Sequence, residues 1–417
     1  MKSSRLSETR ASGRPFYGWV IVGAALCVAV MAYAVHYSFG VFFKPLATEF
    51  DWTRAMTSGA FSLYMLSRGA FGILTGWATD RYGPRVTVAA GGVFIGLGLL
   101  LTSRISAPWQ LYIFYSLLVG LGVSVAFAPL VATVARWFVK KRGLATGIIL
   151  AGIGLGTAIM PGPAGYLIQS YGWSTSYIIM GVIALVVIVL PALLLRRSPE
   201  EIGLLPYGKT EAIVNTSAPS PRGGLSLREA IRTLPFWVLF LIAMLFATCL
   251  NLVMVHIIPH ATDLEVPEAT AGSILALIGI STIFGRLGTG WLSDAVGRKP
   301  ALALCLVVQA AVVFSLLGIR SSGMFFVFGV IFGLAYGGVV TQLPLIAGEL
   351  FGLHSVGAIV GLEMVGNALG GALGPILGGY VFDITGSYYF AFLSGALSLL
   401  VAMALVLFLK APDLTRG

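Results

Sequence analysis

The chain has 417 residues, 58% of them hydrophobic and only 10% charged, where a soluble protein carries about 25% charged residues. That composition excludes a water-soluble fold. It also excludes reading the +10 net charge as a nucleic-acid footprint, which would need a basic face on a soluble domain.

In chain order, residues 1–15 (MKSSRLSETRASGRP) are polar and basic. The apolar run behind them is too long for the core of a cleavable signal peptide. Twelve runs of membrane-spanning length follow, at about 16–43, 53–78, 86–103, 108–135, 144–169, 174–195, 234–261, 269–292, 300–319, 323–348, 355–382 and 388–409. Each approaches the ~20 residues a helix needs to cross a bilayer. An even number of spans puts both termini on one side. Apart from the intramembrane Arg68 and Arg286, every Lys and Arg except Lys44, Arg54 (at the outer end of span two), Arg104 and Arg320 falls on that same side. The positive-inside rule therefore expects a multi-pass protein of the cell's inner (plasma) membrane with both termini cytoplasmic. The three cysteines, Cys27, Cys249 and Cys305, all lie within spans. With no Cys or His pair at ligand spacing, neither a disulfide framework, a metal site nor a cofactor is expected.

The spans divide six and six. Residues 1–196 form the first unit and 233–417 the second. Residues 197–232, rich in Ser, Pro, Thr and Gly around KTEAIVNTSAPSPRGG, read as a cytoplasmic linker. Its end, SLREAIRTLPFW, reads as a short amphipathic helix leading into span seven. The halves repeat. Gly76-Trp77-Ala78-Thr79-Asp80-Arg81-Tyr82-Gly83-Pro84-Arg85 follows span two, and Gly290-Trp291-Leu292-Ser293-Asp294-Ala295-Val296-Gly297-Arg298-Lys299 follows span eight. Gly76, Trp77, Asp80 and Gly83 each recur 214 positions later. A parallel repeat of six spans implies two similar bundles with a substrate site between them at the midplane.

This repeated loop resembles that of the major facilitator superfamily. The resemblance covers the whole chain and implies an all-α membrane protein of 12 transmembrane helices in two six-helix bundles. Asp80, Arg81, Arg85, Asp294 and Arg298 then stand as gating residues, whose charge pairs hold the halves together on the inner side in one state and part in the other. A second motif narrows the branch. Arg136-Trp137-Phe138-Val139-Lys140-Lys141-Arg142-Gly143-Leu144-Ala145-Thr146-Gly147, followed by Ala151-Gly152-Ile153-Gly154-Leu155-Gly156, is similar to the span-five motif of the monocarboxylate transporters and their oxalate:formate antiporter relatives. Gly143, Gly147, Gly152 and Gly156 thin two sides of that helix so that neighbours can pack closely. Phe16-Tyr17-Gly18-Trp19 and the stretch from Tyr33 to Lys44 resemble the same family's span one.

Three ionisable residues remain inside the spans: Arg68, Arg286 and Glu363. A charge there costs roughly 2.5–3.5 kcal/mol even on lenient scales, so such residues usually face a cavity. Arg286 lies eight residues before Asp294, roughly 12 Å along a helix, and Glu363 is at a similar depth in span eleven. The resemblance makes Arg286 the residue that holds a substrate carboxylate, and its planar fork suits bidentate capture. The oxalate:formate branch has a lysine where Glu363 stands, so the glutamate favours a singly charged substrate. On this reading Glu363 neutralises Arg286 until a carboxylate arrives, then takes up the proton that travels with it; the alternative is a permanent cap on Arg286. The animal transporters' span-one lysine and span-eight aspartate are replaced by Tyr37 and Thr282, so their proton relay does not carry over. His36 and His256 are further proton-coupling candidates, since histidine titrates near neutrality, or else packed core residues. Arg68, twelve residues and about 18 Å from Asp80, is either a second anion contact or a structural partner. Tyr37, Phe127, Tyr336, Asn251 and Asn367 are the remaining substrate-binding candidates. His260, Asp263 and Glu265 at the outer mouth are expected to face water.

The sequence therefore predicts a secondary transporter, not an enzyme, that moves a small lactate- or pyruvate-like monocarboxylate anion with protons through the lipid bilayer by alternating access. A small-anion exchanger (nitrate/nitrite or carboxylate antiport) and a non-transporting, transporter-like receptor are the alternatives. No P-loop of the G-x-x-x-x-G-K-[ST] type supports ATP-driven pumping.

Overall fold

A computed structural model of the protein describes residues 16–208, 225–319, 321–352 and 356–409. The basic stretch 1–15, the middle of the linker (209–224) and Arg320 lie outside the described residues. The described chain is almost wholly helical, with one isolated β-bridge, Phe138 to Tyr207. This follows from composition, because in hydrocarbon a backbone must satisfy its own hydrogen bonds.

In the first half, span one is Tyr17–Glu49, span two Arg54–Tyr82, span three Pro84–Thr102 and span four Pro108–Trp137. Span five starts with Arg142–Ile159, and Pro161–Ala192 completes it and continues into span six. In the second half, span seven is Leu234–Asp263, eight Glu268–Val296, nine Arg298–Ser315, ten Ser322–Phe351, eleven Val356–Thr385 and twelve Tyr389–Val406. By length and hydropathy alone, 10 stretches qualify as spans. Two physical reasons reconcile this with twelve. The stretch Arg142–Ala192 is 51 residues long and breaks at Gly172 (φ 78°, ψ 163°). Span two is diluted by Arg54, Ser58, Ser62, Ser67, Arg68 and Thr75, which it turns toward protein or cavity.

Gly172 has nearly the backbone geometry of Gly83 (85°, 160°) and Gly297 (91°, 157°), which link spans two to three and eight to nine. Positive φ admits glycine at no steric cost, so one turn type serves three reversals. The ends of span six mark its direction. Trp173 packs on Phe50 at the far side, and the Leu194 carbonyl accepts from the Tyr17 hydroxyl at 2.9 Å on the linker side.

Span four departs from the regular helix its sequence predicts. Residues Tyr112–Val119 form a π-helix, Ser124–Ala126 a 3₁₀ turn, and Phe127 (φ −120°, ψ −83°) breaks the helix before Pro129. Such interruptions concentrate at functional elements. The helix leading into span seven is a single turn, Leu227–Ala230, closed by a Ser226–Glu229 capping box.

The described ends of the linker grip equivalent points of the repeat. Tyr207 N–H donates to the Trp137 carbonyl at 2.8 Å, and Leu225 N–H to the Phe351 carbonyl at 2.8 Å. Trp137 and Phe351 end spans four and ten and stand 214 positions apart, the offset of the loop repeat.

Across the halves, spans two and eleven pair, as do five and eight. The second pairing rests on two glycines. A Cβ on Gly279 would sit 2.6 Å from the Gly154 carbonyl, and one on Gly154 2.9 Å from the Gly279 carbonyl. The sequence reading named other glycines of span five. Of those, Gly152 and Gly156 face span one, whereas Gly143 and Gly147 have nothing within 4 Å. A Gly279→Leu variant is expected to wedge the crossing apart and cost roughly 1–3 kcal/mol, read as a lower Tm of the solubilised protein. Gly143→Ala serves as the silent control.

Candidate central site and its closure

The halves are pinned together on the side opposite the linker. Asp263, at the end of span seven, takes Lys44 Nζ at 3.1 Å and Arg54 Nη2 at 2.7 Å. The Asp383 carboxylate, from span eleven, accepts the backbone N–H groups of Arg54 (2.8 Å) and Ala55 (2.7 Å). One half thus caps the opening turn of a helix in the other, where an anion also meets the helix dipole. Arg54 donates to the Tyr388 hydroxyl at 2.6 Å, and its guanidinium carbon lies 3.6 Å from the Phe382 ring centroid. Behind Tyr388, His256 Nε2 is 2.8 Å from the Pro375 carbonyl and Nδ1 3.1 Å from the Tyr388 hydroxyl. A carbonyl only accepts, so Nε2 carries the proton and Nδ1 accepts from Tyr388.

On the linker side each ion pair stays within its own half. Asp80 binds Arg136 at 2.6 Å, and Arg298 reaches Glu349 at 3.8 Å. Arg81 lies over the Trp77 and Tyr82 rings, Arg85 and Asp294 are exposed, and no ion pair crosses between the halves there among the described residues. Among the described residues, the gating candidates thus make no charge pair from one half to the other in this structure.

Between these two levels, side chains from both halves converge. The Tyr37 and Tyr336 hydroxyls meet at 3.0 Å, joining span one to span ten. Tyr33, one turn before Tyr37, stacks on it. Arg68 and Arg286 both lie in the neighbourhood of Tyr33. Both arginines are half-buried, and neither is ion-paired among the described residues. Arg286 Nη1 donates to the Leu150 carbonyl of span five at 2.6 Å, while its Nε and Nη2 are buried with no hydrogen-bond partner. Buried unsatisfied donors cost about 1–3 kcal/mol each, and donors on a fixed guanidinium plane are what a carboxylate neutralises.

The resting pair of Arg286 with Glu363 is not formed. Their similar depth misled, because depth is not direction. Arg286 belongs to the seam of spans five and eight. Glu363 shares a face of span eleven with Gly366 and Gly370, which pack on Phe240 and Met244 of span seven. Glu363 is 4% exposed, its Oε2 has no partner, and no ion pair joins it to any described residue. This removes the permanent-cap alternative from the state seen here.

The other candidates divide. Phe127 is half-buried at the break in span four and Asn367 is half-buried on span eleven. Asn251 is buried and donates to the Ala247 carbonyl of its own helix at 3.0 Å. His36 is packed among Tyr33, Tyr37 and Phe61, with Nδ1 2.9 Å from the Tyr64 hydroxyl. His256 belongs to the far-side closure. Of the outer-mouth residues, Glu265 is exposed as expected, and the reading needs correction for the other two. Asp263 is exposed but also holds two cations, and His260 packs against Phe325, Tyr388 and Phe392. Sequence reasoning missed Tyr33, Arg54, Asp383 and Tyr388. Only Tyr33 had a local signal, its i, i+4 spacing to Tyr37.

Comparison with known proteins agrees with this architecture. The family model for the Major Facilitator Superfamily matches residues 25–287 and 240–417. Bovine (Bos taurus) monocarboxylate transporter 13 is 28% identical over 399 residues, covering 94% of this chain and 89% of that protein. Human (Homo sapiens) monocarboxylate transporter 11 is 31% identical over 402 residues, covering 92% and 81%. Among solved structures, an inward-facing, unoccupied bacterial homologue of the human lysosomal transporter Spinster superposes with a TM-score of 0.71 at 18% identity over 95% of both chains. Its occupied form gives 0.74 at 16% identity, covering 95% of this chain and 97% of that one. These structures share the fold, and the human relative shares the family. The chain is a multi-pass membrane transporter that belongs to the major facilitator superfamily, in its monocarboxylate transporter family.

Proposed function

We propose that this transporter carries small monocarboxylates of the lactate or pyruvate kind together with protons, by alternating access. The unpartnered Nε and Nη2 of Arg286 carry this reading. They offer two parallel donors, the geometry in which a guanidinium binds a carboxylate. The kinship with monocarboxylate transporters supports the same substrate class. The Tyr37–Tyr336 contact spans the halves next to this site, so substrate bound there feels both of them move.

Glu363 is the proton carrier in this scheme. It is a buried carboxyl with a free oxygen and no cation bound to it in the state seen here. Taking up a proton offsets the negative charge that the substrate brings into a low-dielectric site. The coupling therefore runs through the charge of the cavity rather than through a direct Arg286–Glu363 contact. The halves close on the linker side when the loop charges around Asp80 and Asp294 re-pair across the gap. The distribution of Lys and Arg supports cytoplasmic termini, so the linker side faces the cytoplasm.

Uptake of labelled lactate into proteoliposomes tests this reading. Uptake is expected to rise when the side holding lactate is made more acidic. Uptake indifferent to the gradient would remove the coupling, and absence of both uptake and exchange would remove the substrate. Glu363→Gln is expected to bind lactate with unchanged affinity yet lose accumulation driven by pH. A mutant that still accumulates fully would end the role of Glu363.

A further inference from the structure

We infer that His256 makes the far-side closure release on acid: a second proton on its ring sets a cation against the Arg54 socket, so protons on that side favour the open form. Release on acid extends the proton-coupled reading to the gate, and its test uses no substrate, so the two fail separately.

Both ring nitrogens of His256 are already in use. Nε2 donates to the Pro375 carbonyl at 2.8 Å, and Nδ1 accepts from the Tyr388 hydroxyl at 3.1 Å. That hydroxyl accepts in turn from Arg54 Nη1 at 2.6 Å. The chain Pro375–His256–Tyr388–Arg54 therefore crosses from the second half to the first. The imidazole is fully buried and lies directly on span eleven, where a Cβ on Gly378 would stand 2.5 Å from Cδ2 and 2.7 Å from Nε2. With Nε2 committed to a carbonyl, a second proton can land only on Nδ1. The Tyr388 hydroxyl then loses its acceptor, and two cations flank one phenol oxygen in a place where water screens poorly.

Among the described residues, the charged groups around this point do not offset that cation. Span two brings Arg54 itself. Span eleven brings Asp383, whose carboxylate is taken by the backbone N–H groups of Arg54 and Ala55. Span seven brings Asp263, bound to Arg54 and to Lys44 of span one, and His260, whose ring centroid lies 5.8 Å from that of Tyr388. Both carboxylates are engaged by the closure. Parting the halves takes Arg54 away from Tyr388 and admits water to the ring, so the second proton has a place in the open form and none in the closed one. By linkage the closure holds above the ordinary histidine range, about pH 6.5, and yields below it.

The closure is read in purified full-length protein in proteoliposomes, without substrate. A single cysteine at Phe43→Cys is labelled by a membrane-impermeant maleimide from the side opposite the linker. Phe43 packs on the imidazole and takes no part in the bonds at its nitrogens. Dividing the rate at each pH by that of the exposed Ser106→Cys cancels the thiol's own titration. The ratio is expected to rise about tenfold from about pH 7.5 to 5.5, the value for one proton bound only by the open form. His256→Gln, which keeps a donor for Pro375 and an acceptor for Tyr388 but does not titrate, is expected to flatten the rise to within about twofold, whereas Glu363→Gln keeps it. Tyr388→Phe leaves Nδ1 no bond to lose and is expected to cut the rise below about threefold, a second check should His256→Gln fail to fold. A flat ratio in the parent overturns the inference. So does a full rise in His256→Gln, which gives the sensing to Asp263 or Asp383, a full rise in Tyr388→Phe, or a rise abolished by Glu363→Gln. None of these results touches the lactate test.

Discussion

Arg286→Gln is expected to cut carboxylate uptake by about 100-fold or more while the protein folds as well as the wild type. Truncating one partner of a desolvated charge pair costs about 2–5 kcal/mol, and each 1.36 kcal/mol is a factor of ten. The stability side of this prediction separates it from simple damage. In the substrate-free state, Arg286 gives one hydrogen bond to Leu150 and leaves two buried donors unpaired. Removing those donors relieves a cost instead of creating one. Tm is therefore expected to stay level or rise while uptake collapses, the pattern of a residue kept for function at the expense of stability. Arg286→Lys, with a point charge in place of the fork, should recover part of the loss. Near-normal uptake by Arg286→Gln would show that the carboxylate binds elsewhere.

The second large effect belongs to Arg54. This residue of the first half sits in a socket built by the second: Asp263 at 2.7 Å, the Tyr388 hydroxyl at 2.6 Å and the Phe382 ring at 3.6 Å. Its side chain is only 17% exposed, so screening by water is partial. The ion pair, the hydrogen bond and the ring contact together are worth roughly 3 kcal/mol. Arg54→Ala is therefore expected to shift the balance between closed and open forms of the far side by about 100-fold. A single-cysteine background with Phe43→Cys reports it. Phe43 is buried just inside the closure, against His256. A membrane-impermeant maleimide added on the side opposite the linker is expected to label that cysteine at least about tenfold faster when Arg54 is alanine. An unchanged labelling rate would mean that Arg54 decorates the closure without holding it.

The contrast between these two arginines shows what the sequence reveals. Arg286 was legible because a charge inside an apolar run is conspicuous, and because counting 1.5 Å per residue gives its depth. Direction around the helix was not legible. Arg286 and Glu363 lie at similar depth yet point into different seams, and only packing decides that. Arg54 and Asp263 looked like ordinary loop charges because their partners are far away in sequence. Asp383 and Tyr388 reach Arg54 across more than half the chain. The fold was legible from the repeated loop, whose glycines Gly83 and Gly297 take the same turn. Gly172 takes that turn too, but no motif surrounds it. The breaks in span four carry no strong sequence mark beyond Pro129.

Where a bound carboxylate rests is the most direct question, and an experimental structure of the purified protein with pyruvate answers it. The account expects carboxylate oxygens within about 3 Å of Nε and Nη2 of Arg286, between the two halves. An anion seated away from Arg286, with Nε and Nη2 still unpartnered, would contradict it.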